Sequence, residues 1–251
     1  MTSTKHQNIT HNWHDLQQQM HAQQQFLNLM IAQCRSEYLD RGGSIYCHSG
    51  CGGCCTLHVH CLYTEAIDIA QTLDAQQTQQ ITDYAMALQQ LAQSTADLKT
   101  FLRHSRDQLG NCPFLDTQNR CSIYRLRPLA CRALLSTKEP HYCELDFATL
   151  NSAEKQEFMA SLDRSAVNFP THYLAAPQRW GSEAEQLQHA AMLKSFGIAI
   201  SGSLPYLVFI EQRYTLSKII VQGATATLNF LSQHQLDIPL LLQVQVQSHA
   251  E

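Results

Sequence analysis

The chain has 251 residues, 44% of them hydrophobic, and a formal net charge of −4 at pH 7. This is enough apolar material for one large domain, or for a small domain with helical additions. The charge gives no reason to expect a nucleic acid partner, and no apolar run approaches the ~18 residues of a membrane span. The polar N-terminus, MTSTKHQNITHNWHDLQQQM, lacks the features of a secretory signal. We therefore expect a soluble protein of the cytosol.

Apolar residues recur with helical spacing in four segments of the first 110 residues. These segments are roughly 9–39, 64–73, 81–91 and 98–110. Thr64 is a candidate N-cap of the second segment, and Gly110 suits the end of the fourth. The pattern predicts four helices, of which the first is long and amphipathic.

From residue 111 to residue 143 the helical pattern stops. Pro113 and Pro128 lie where helices would fail, so this region is predicted to consist of loops with a short extended piece at 122–124. The region is flanked by helical sequence on both sides.

Helical signals return after residue 150. Asn151 and Ser182 are each followed three residues later by Glu, which predicts capping boxes that open two helices. Gly197 suits the end of the second one. The segment LPYLVFI (204–210) fits either a buried strand or a helix, and YTLSKIIVQGATATLNFLSQ is predicted to be helical.

The ten cysteines are the unusual feature of the composition. A chain of this length without an export signal does not need disulfides, and clustered thiols in a reducing compartment indicate metal ligation or redox chemistry. The segment CHSGCGGCC (47–55) contains a C-x2-C turn, Cys51–Cys54, that lets two thiolates converge on one ion. Zinc and iron–sulfur clusters usually take four such ligands. The remaining ligands are expected from a second segment containing Cys112, Cys121 and Cys131.

The other cysteines leave alternatives open. Because adjacent side chains diverge, Cys54 and Cys55 either serve two neighbouring metals, or one is a ligand while the other packs or bridges. Cys34 lies on an apolar helix face and is expected to be a buried hydrophobic residue. Cys61 is either a metal ligand or a buried hydrophobic residue. Cys143 is likewise assigned to neither of these two interpretations.

Charged and imidazole side chains accompany the cysteines. Four arginines lie beside or between the cysteines of the second segment: Arg120, Arg125, Arg127 and Arg132. They either offset the negative charge of metal-bound thiolates or are ordinary surface residues. Four histidines also lie near cysteines and could replace a thiolate: His48, His58, His60 and His141. Of these, His48 is the best placed.

CHSGCGGCC, Glu65 in TEAIDIA, and NCPFLDTQNRCSIYRLRPLACR together resemble the CxxCxxCC-type cysteine-cluster family, often called YkgJ-type proteins. The resemblance covers about residues 45–145 and implies zinc or iron, including an iron–sulfur cluster, as cofactor. It implies the following metal ligands: Cys47, Cys51, Cys54, Cys55, Cys112, Cys121 and Cys131. Three residues separate Cys47 from Cys51 where the motif has two, so His48 stands at the first motif position and either residue can be the ligand there.

The leading prediction is a cytosolic metal-binding protein whose cysteine cluster organises the fold, with a metal ion as partner and neither nucleic acid nor membrane. A related cluster occurs in flagellin lysine N-methylases, which implies an iron–sulfur-dependent methyltransferase as the alternative. Cys47-x3-Cys51-x2-Cys54 also spells the radical S-adenosylmethionine motif, although the strand–helix alternation of that barrel is missing. A dithiol exchange protein using Cys51 and Cys54 ranks last.

The predicted fold class is mainly α, with helices flanking a loop-rich cysteine-cluster metal-binding core that contains little strand. We divide the chain into three regions. They are an N-terminal amphipathic helix (1–40), a cysteine-cluster metal-binding domain (41–145) and a C-terminal helical region (146–251).

Overall fold

Most of the chain is helical. The computed structural model describes the backbone of residues 2–247 and the side chains of residues 12–247. The helices are α1 (Thr2–Asp40), α2 (Tyr63–Thr72), α3 (Ala75–Ser94), α4 (Leu98–His104), α5 (Leu129–Arg132), α6 (Pro140–Glu144), α7 (Ser152–Ala160), α8 (Ala175–Phe196), α9 (Leu204–Tyr214), α10 (Ser217–Ile220) and α11 (Ala224–Gln233). A 3₁₀ turn covers Gly53–Thr56, and a π-helical turn, Ser105–Leu109, follows α4. The predicted mainly-α class is confirmed.

Three short strands form one antiparallel sheet, which the sequence analysis did not predict. They are β1 (His60–Leu62), β2 (Ile198–Ser203) and β3 (Leu242–Val246), with β2 in the centre. Every residue of β2 is buried. Gly202 is needed in β2 because a Cβ atom there would lie 2.1 Å from the Leu241 carbonyl oxygen. Each strand is too short to show a two-residue alternation that stands out from the helical sequence around it.

Several helix ends follow the predicted capping chemistry. Asn151 caps α7, and its side chain accepts hydrogen bonds from the N–H groups of residues 153 and 154. Gly110 (φ 71°) and Gly197 (φ 70°) end their helical segments as predicted, in the left-handed region that favours glycine. The N-cap of α2 is Leu62 rather than Thr64, because the Glu65 side chain accepts the Leu62 N–H at 3.0 Å.

Two local predictions are wrong. The helix expected to open at Ser182 begins at Ala175, and Pro177 lies in its first turn, where the backbone N–H groups have no intrahelical partner to lose. The piece expected to be extended at 122–124 is a series of turns. The neighbouring Cys121 pairs with Leu115 in an isolated bridge, which does not continue into a strand. LPYLVFI, which was ambiguous, lies in helix α9 and is buried throughout.

The main hydrophobic core surrounds α9. Helices α2 and α3 pack on α9, and the core includes residues from the first helix to β3. Inside this core the buried Glu211 accepts hydrogen bonds from Tyr63 Oη at 2.6 Å and from Ser217 Oγ at 2.6 Å. Strand β1 leads directly into α2, so the cysteine segment that precedes β1 is attached to this core.

Among the residues that the structure describes, no helix is both long and apolar enough to cross a membrane.

Candidate metal centre

The two cysteine segments, about sixty residues apart in sequence, lie against each other. The Cys112 N–H donates a hydrogen bond of 2.7 Å to the Cys55 carbonyl oxygen. Burial raises the pKa of the Cys121 and Cys131 thiols, and the nearby Cys54 sulfur contributes to the rise in both. The structure therefore brings thiols of the first segment next to thiols of the second.

Three cysteines of the first segment line one small cavity. Cys47, Cys51 and Cys54 share its wall with Cys143, from helix α6. The cavity has a volume of about 10 Å³, which is room for a single atom-sized occupant. His48 is exposed, and its Nδ1 atom lies 2.9 Å from the Ser49 carbonyl oxygen, so Cys47 and not His48 is the residue placed at this cavity.

Hydrogen-bond donors face two of these cavity thiols. The Ser136 N–H lies 3.1 Å from Cys47 Sγ. His172 Nε2 lies 3.4 Å from Cys143 Sγ, and the Tyr173 hydroxyl lowers the pKa of Cys143 against the larger effect of burial. Burial lowers the pKa of His172 to about 4, so its imidazole is neutral and carries one N–H. The Ser136 N–H stabilises a sulfur that carries negative charge, and the His172 imidazole does so in the tautomer that carries its proton on Nε2.

A second group of thiols consists of Cys112, Cys121 and Cys131. Burial raises the pKa of Cys112 to about 12, with Cys121 and Cys54 adding to the rise. Burial also raises the pKa of Cys121. Against this effect, the Phe114 N–H lowers the pKa of Cys112 and the Ile123 N–H lowers the pKa of Cys121. The second group therefore combines burial with main-chain donors, as the cavity thiols do.

Close backbone approach holds the first segment in place. A Cβ atom on Gly53 would lie 2.5 Å from the Pro140 carbonyl oxygen and 3.1 Å from Cys143 Cβ. Gly52, immediately before it, has a φ of 59° in the left-handed region. The glycines between the cysteines thus let the 3₁₀ turn pack directly on helix α6, which brings Cys143 to the cavity.

Two buried charged side chains support the helix that carries Cys131. Glu65 is 1% exposed and accepts the Leu129 N–H, at the start of α5, at 2.7 Å. Arg132, at the end of α5, donates to the Arg127 carbonyl oxygen at 2.8 Å and to Asn28 Oδ1 at 3.1 Å. The hydrogen bond between Glu65 and Leu129, 64 residues apart, has no local sequence signal.

The four arginines near the cysteines divide into two kinds. Arg120 and Arg125 are exposed, and Arg120 pairs with Asp116. Arg127 is half-buried and lies 4.2 Å over the Tyr124 ring. The pKa of Cys121 is raised by burial and that of Cys54 by the neighbouring Cys55 thiol and by burial, and the Arg127 charge acts against both shifts. The Arg127 Nε atom is buried and has no hydrogen-bond partner in the structure. Arg127 is thus a cation with an unused donor beside the thiols.

The remaining candidates lie away from the cavity. Cys34, which was expected to be buried, is half-buried beside a small core of Tyr38, Leu135 and Leu174. Cys61 is fully buried in β1. The other three histidines, His58, His60 and His141, are absent from the residues described as lining the cavity.

The donors present fit a thiolate-bound metal. Cysteine sulfur is a preferred ligand of zinc and of iron–sulfur clusters. The Arg127 Nε atom is a buried donor without a partner, which suits a site where negative charge accumulates. Among the described side chains, residues 12–247, no group of three or more Cys, His, Asp or Glu is placed to hold a metal ion. Of the thiols, Cys47, Cys51, Cys54 and Cys143 line one cavity wall.

Buried thiols on apposed loops, with main-chain donors and an arginine beside them, define a cysteine-cluster protein. Residues 46–159, a little under half of the chain, match the CxxCxxCC family model, whose description is "Putative zinc- or iron-chelating domain". This match confirms, for residues 46–159, the family resemblance that the motifs predicted. No curated protein and no solved structure matches the chain.

The close packing at Gly53 leads to a first prediction. The substitution Gly53→Ala is expected to destabilise the protein by about 1–3 kcal/mol, because the added methyl group meets backbone atoms of α6 that cannot move independently. Thermal unfolding measures the effect. Ser49→Ala, at an exposed position of the same loop, is the matched control and should leave the unfolding temperature unchanged. Equal unfolding temperatures for Gly53→Ala and the parent protein would contradict the described contact.

Proposed function

We propose that this protein is a cytosolic metal-binding protein that holds zinc or iron through cysteine thiolates. The hydrogen bond from the Cys112 N–H to the Cys55 carbonyl oxygen carries the proposal, because it places the two cysteine segments side by side. The proposed ligands come from both segments: Cys47, Cys51, Cys54, Cys55, Cys112, Cys121 and Cys131. All ten cysteines are free thiols in the structure, so none of the proposed ligands is engaged in a disulfide.

A bound ion would supply cross-linking between loops that have little regular structure of their own. Helices α5 and α6 contain four and five residues, which is too short for independent stability. The chain's own residues supply the other contacts that stabilise the thiolates and position the loops. Main-chain N–H groups donate to the sulfurs, Arg127 places positive charge near Cys54 and Cys121, and Glu65 and Arg132 hold α5 in position.

Metal analysis with an optical spectrum, on protein prepared anaerobically, tests this proposal. We expect metal in stoichiometric amount and a strong reduction of metal content in Cys121→Ser. Cys34→Ser is the matched control, because Cys34 packs in a separate small core, and it should retain the metal of the parent protein. Metal-free protein with an unchanged fold after attempted reconstitution with zinc and with iron would refute the proposal.

The same spectrum tests the enzyme alternative, which stays a prediction. A brown protein with sulfide-to-iron charge-transfer absorption that also binds S-adenosylmethionine would favour the iron–sulfur methyltransferase. Colourless protein containing zinc would leave a metal-binding protein without that chemistry.

A further inference from the structure

A groove with a volume of about 360 Å³ lies between helices α1 and α8. Leu27, one of its lining residues, is almost fully buried, and Trp180 and Ala184 pack on the small core that contains it. Helix α8 also approaches α5 so closely that a Cβ atom on Gly181 would lie 2.8 Å from the Ala133 Cβ atom. The groove is therefore built on packed helices.

Large apolar side chains are exposed at this groove. Phe26 from α1 and Leu187 from α8 both line it, yet they are 65% and 59% exposed. Leu29, about one helical turn beyond Phe26, is 71% exposed. The same face of the molecule thus combines exposed apolar side chains with a hollow, and contiguous patches of this kind mark interaction sites.

Helix α1 carries two apolar stripes. One contains Leu27 and is buried. The other contains Ala22, Phe26 and Leu29, whose i, i+4, i+7 spacing places them on one face. Residues 16–34 include no Asp, Glu, Lys or Arg. A helix face that meets only water normally carries charges, whereas the centre of a protein–protein interface is depleted of them.

The charges beside the groove suit a second copy of the same face. Of the described residues that line the groove, Glu183 alone is charged, and its carboxylate lies 4.0 Å from the Arg179 guanidinium. The face therefore has both signs of charge and no net charge. Two identical faces meet without repulsion, and Arg179 of each copy is then available to Glu183 of the other.

We propose that two copies of this chain associate through the α1–α8 face, with Phe26 of each copy in the groove of the other. A two-fold contact needs one surface that is complementary to itself, and this face supplies both the protruding residue and the hollow. Two helices from each copy form a four-helix arrangement, which is a common way to bury apolar stripes. The face lies outside residues 46–159, so this inference goes beyond the metal-binding proposal.

The size of the face sets the strength of the association. Residues 19–30 span about 17 Å of α1, and two helices side by side are about 20 Å wide. This footprint, on the order of 340 Å² per copy, is small beside the roughly 800 Å² that each partner buries in a standard interface. We therefore expect a reversible dimer whose population rises with protein concentration.

Sedimentation equilibrium of the full chain tests this inference. The reducing agent in the buffer excludes dimers joined by disulfides. We expect a monomer–dimer equilibrium, and a dissociation constant raised at least about tenfold in Phe26→Asp and in Leu187→Asp, since each puts a charge into the apolar contact. Met86→Asp, at a 52% exposed position of α3, is the matched control and should leave the equilibrium unchanged.

Tryptophan emission locates the contact. Trp180 lines the groove, whereas Trp13, the other tryptophan, donates its indole N–H to the Ser217 carbonyl oxygen at 3.1 Å. Emission should shift to shorter wavelength as the dimer forms and buries Trp180, and Leu187→Asp should abolish this shift. Circular dichroism checks the fold of each variant, so Leu187→Asp still decides the question if Phe26→Asp does not fold.

Parent protein that stays monomeric up to submillimolar concentration would overturn the proposal and leave the groove to a different molecule. A dimer that is unchanged in both Phe26→Asp and Leu187→Asp, or equally weakened by Met86→Asp, would overturn it as well. These measurements do not depend on metal content, so the metal-binding proposal stands or falls separately.

Discussion

Removing the metal with a strong chelator is expected to lower the unfolding temperature by roughly 10 °C or more. Structural zinc contributes about 10–16 kcal/mol in isolated fingers, and in a domain of this size 1 kcal/mol corresponds to about 2–4 °C. Even a third of that free energy gives a shift of this size. The effect is large because the cysteine loops have short helices and few alternative sources of stability.

The loss of stability should be local before it is global. Helices α3 and α9 belong to the main core and need no metal to bury their apolar residues. Hydrogen exchange after chelation is therefore expected to increase in residues 45–57 and 111–143 while α3 and α9 stay protected. Readdition of the metal should reverse the change. Equal exchange in those loops with and without chelator would show that the cysteines do not organise them.

The substitution Glu65→Ala is expected to destabilise the protein by about 3–5 kcal/mol. Glu65 is almost fully buried and accepts the N–H groups of Leu62 and Leu129, so alanine leaves two buried donors without partners. It also removes a carboxylate near the buried Arg132 guanidinium. Urea unfolding at neutral pH measures the loss.

Two variants make this result specific. Glu65→Gln keeps the shape and one acceptor oxygen, and it should cost less than Glu65→Ala. Glu157→Ala, at an exposed helical position, should change the free energy of unfolding by no more than about 0.5 kcal/mol. Because Leu129 begins the helix that carries Cys131, Glu65→Ala should also weaken metal retention. A stability equal to that of Glu157→Ala would contradict the described hydrogen bonds.

Features of the fold that depend on local sequence were predictable. The long first helix, the Asn151 capping box and the glycine stops at 110 and 197 all arise from residues a few positions apart. The sheet depends instead on pairing over long sequence distances, such as His60 with Ser203, and β1 has only three residues. Its pairing is decided by tertiary packing, which a short apolar run does not encode.

The candidate site was predictable to a similar extent. The C-x2-C turn and the second segment, with their glycine and proline spacing, were enough to indicate which loops meet. The roles of Cys143, Glu65 and Arg132 come from contacts across the fold, and their residue types alone allow an ordinary core or surface explanation. One sequence feature pointed to Cys143 as part of the site. It is the last of the cysteines and lies near the others in a loop-rich region.

The position of β1 affects whether the family segment can exist alone. Its hydrogen-bond partners, Ser201–Ser203, lie outside residues 46–159, as does α9, on which α2 packs. A fragment limited to the matched segment would leave one sheet edge and one apolar helix face open to solvent. A fragment of residues 46–159 is therefore expected to lack the contacts with β2 and α9 that cover β1 and α2 in the full chain.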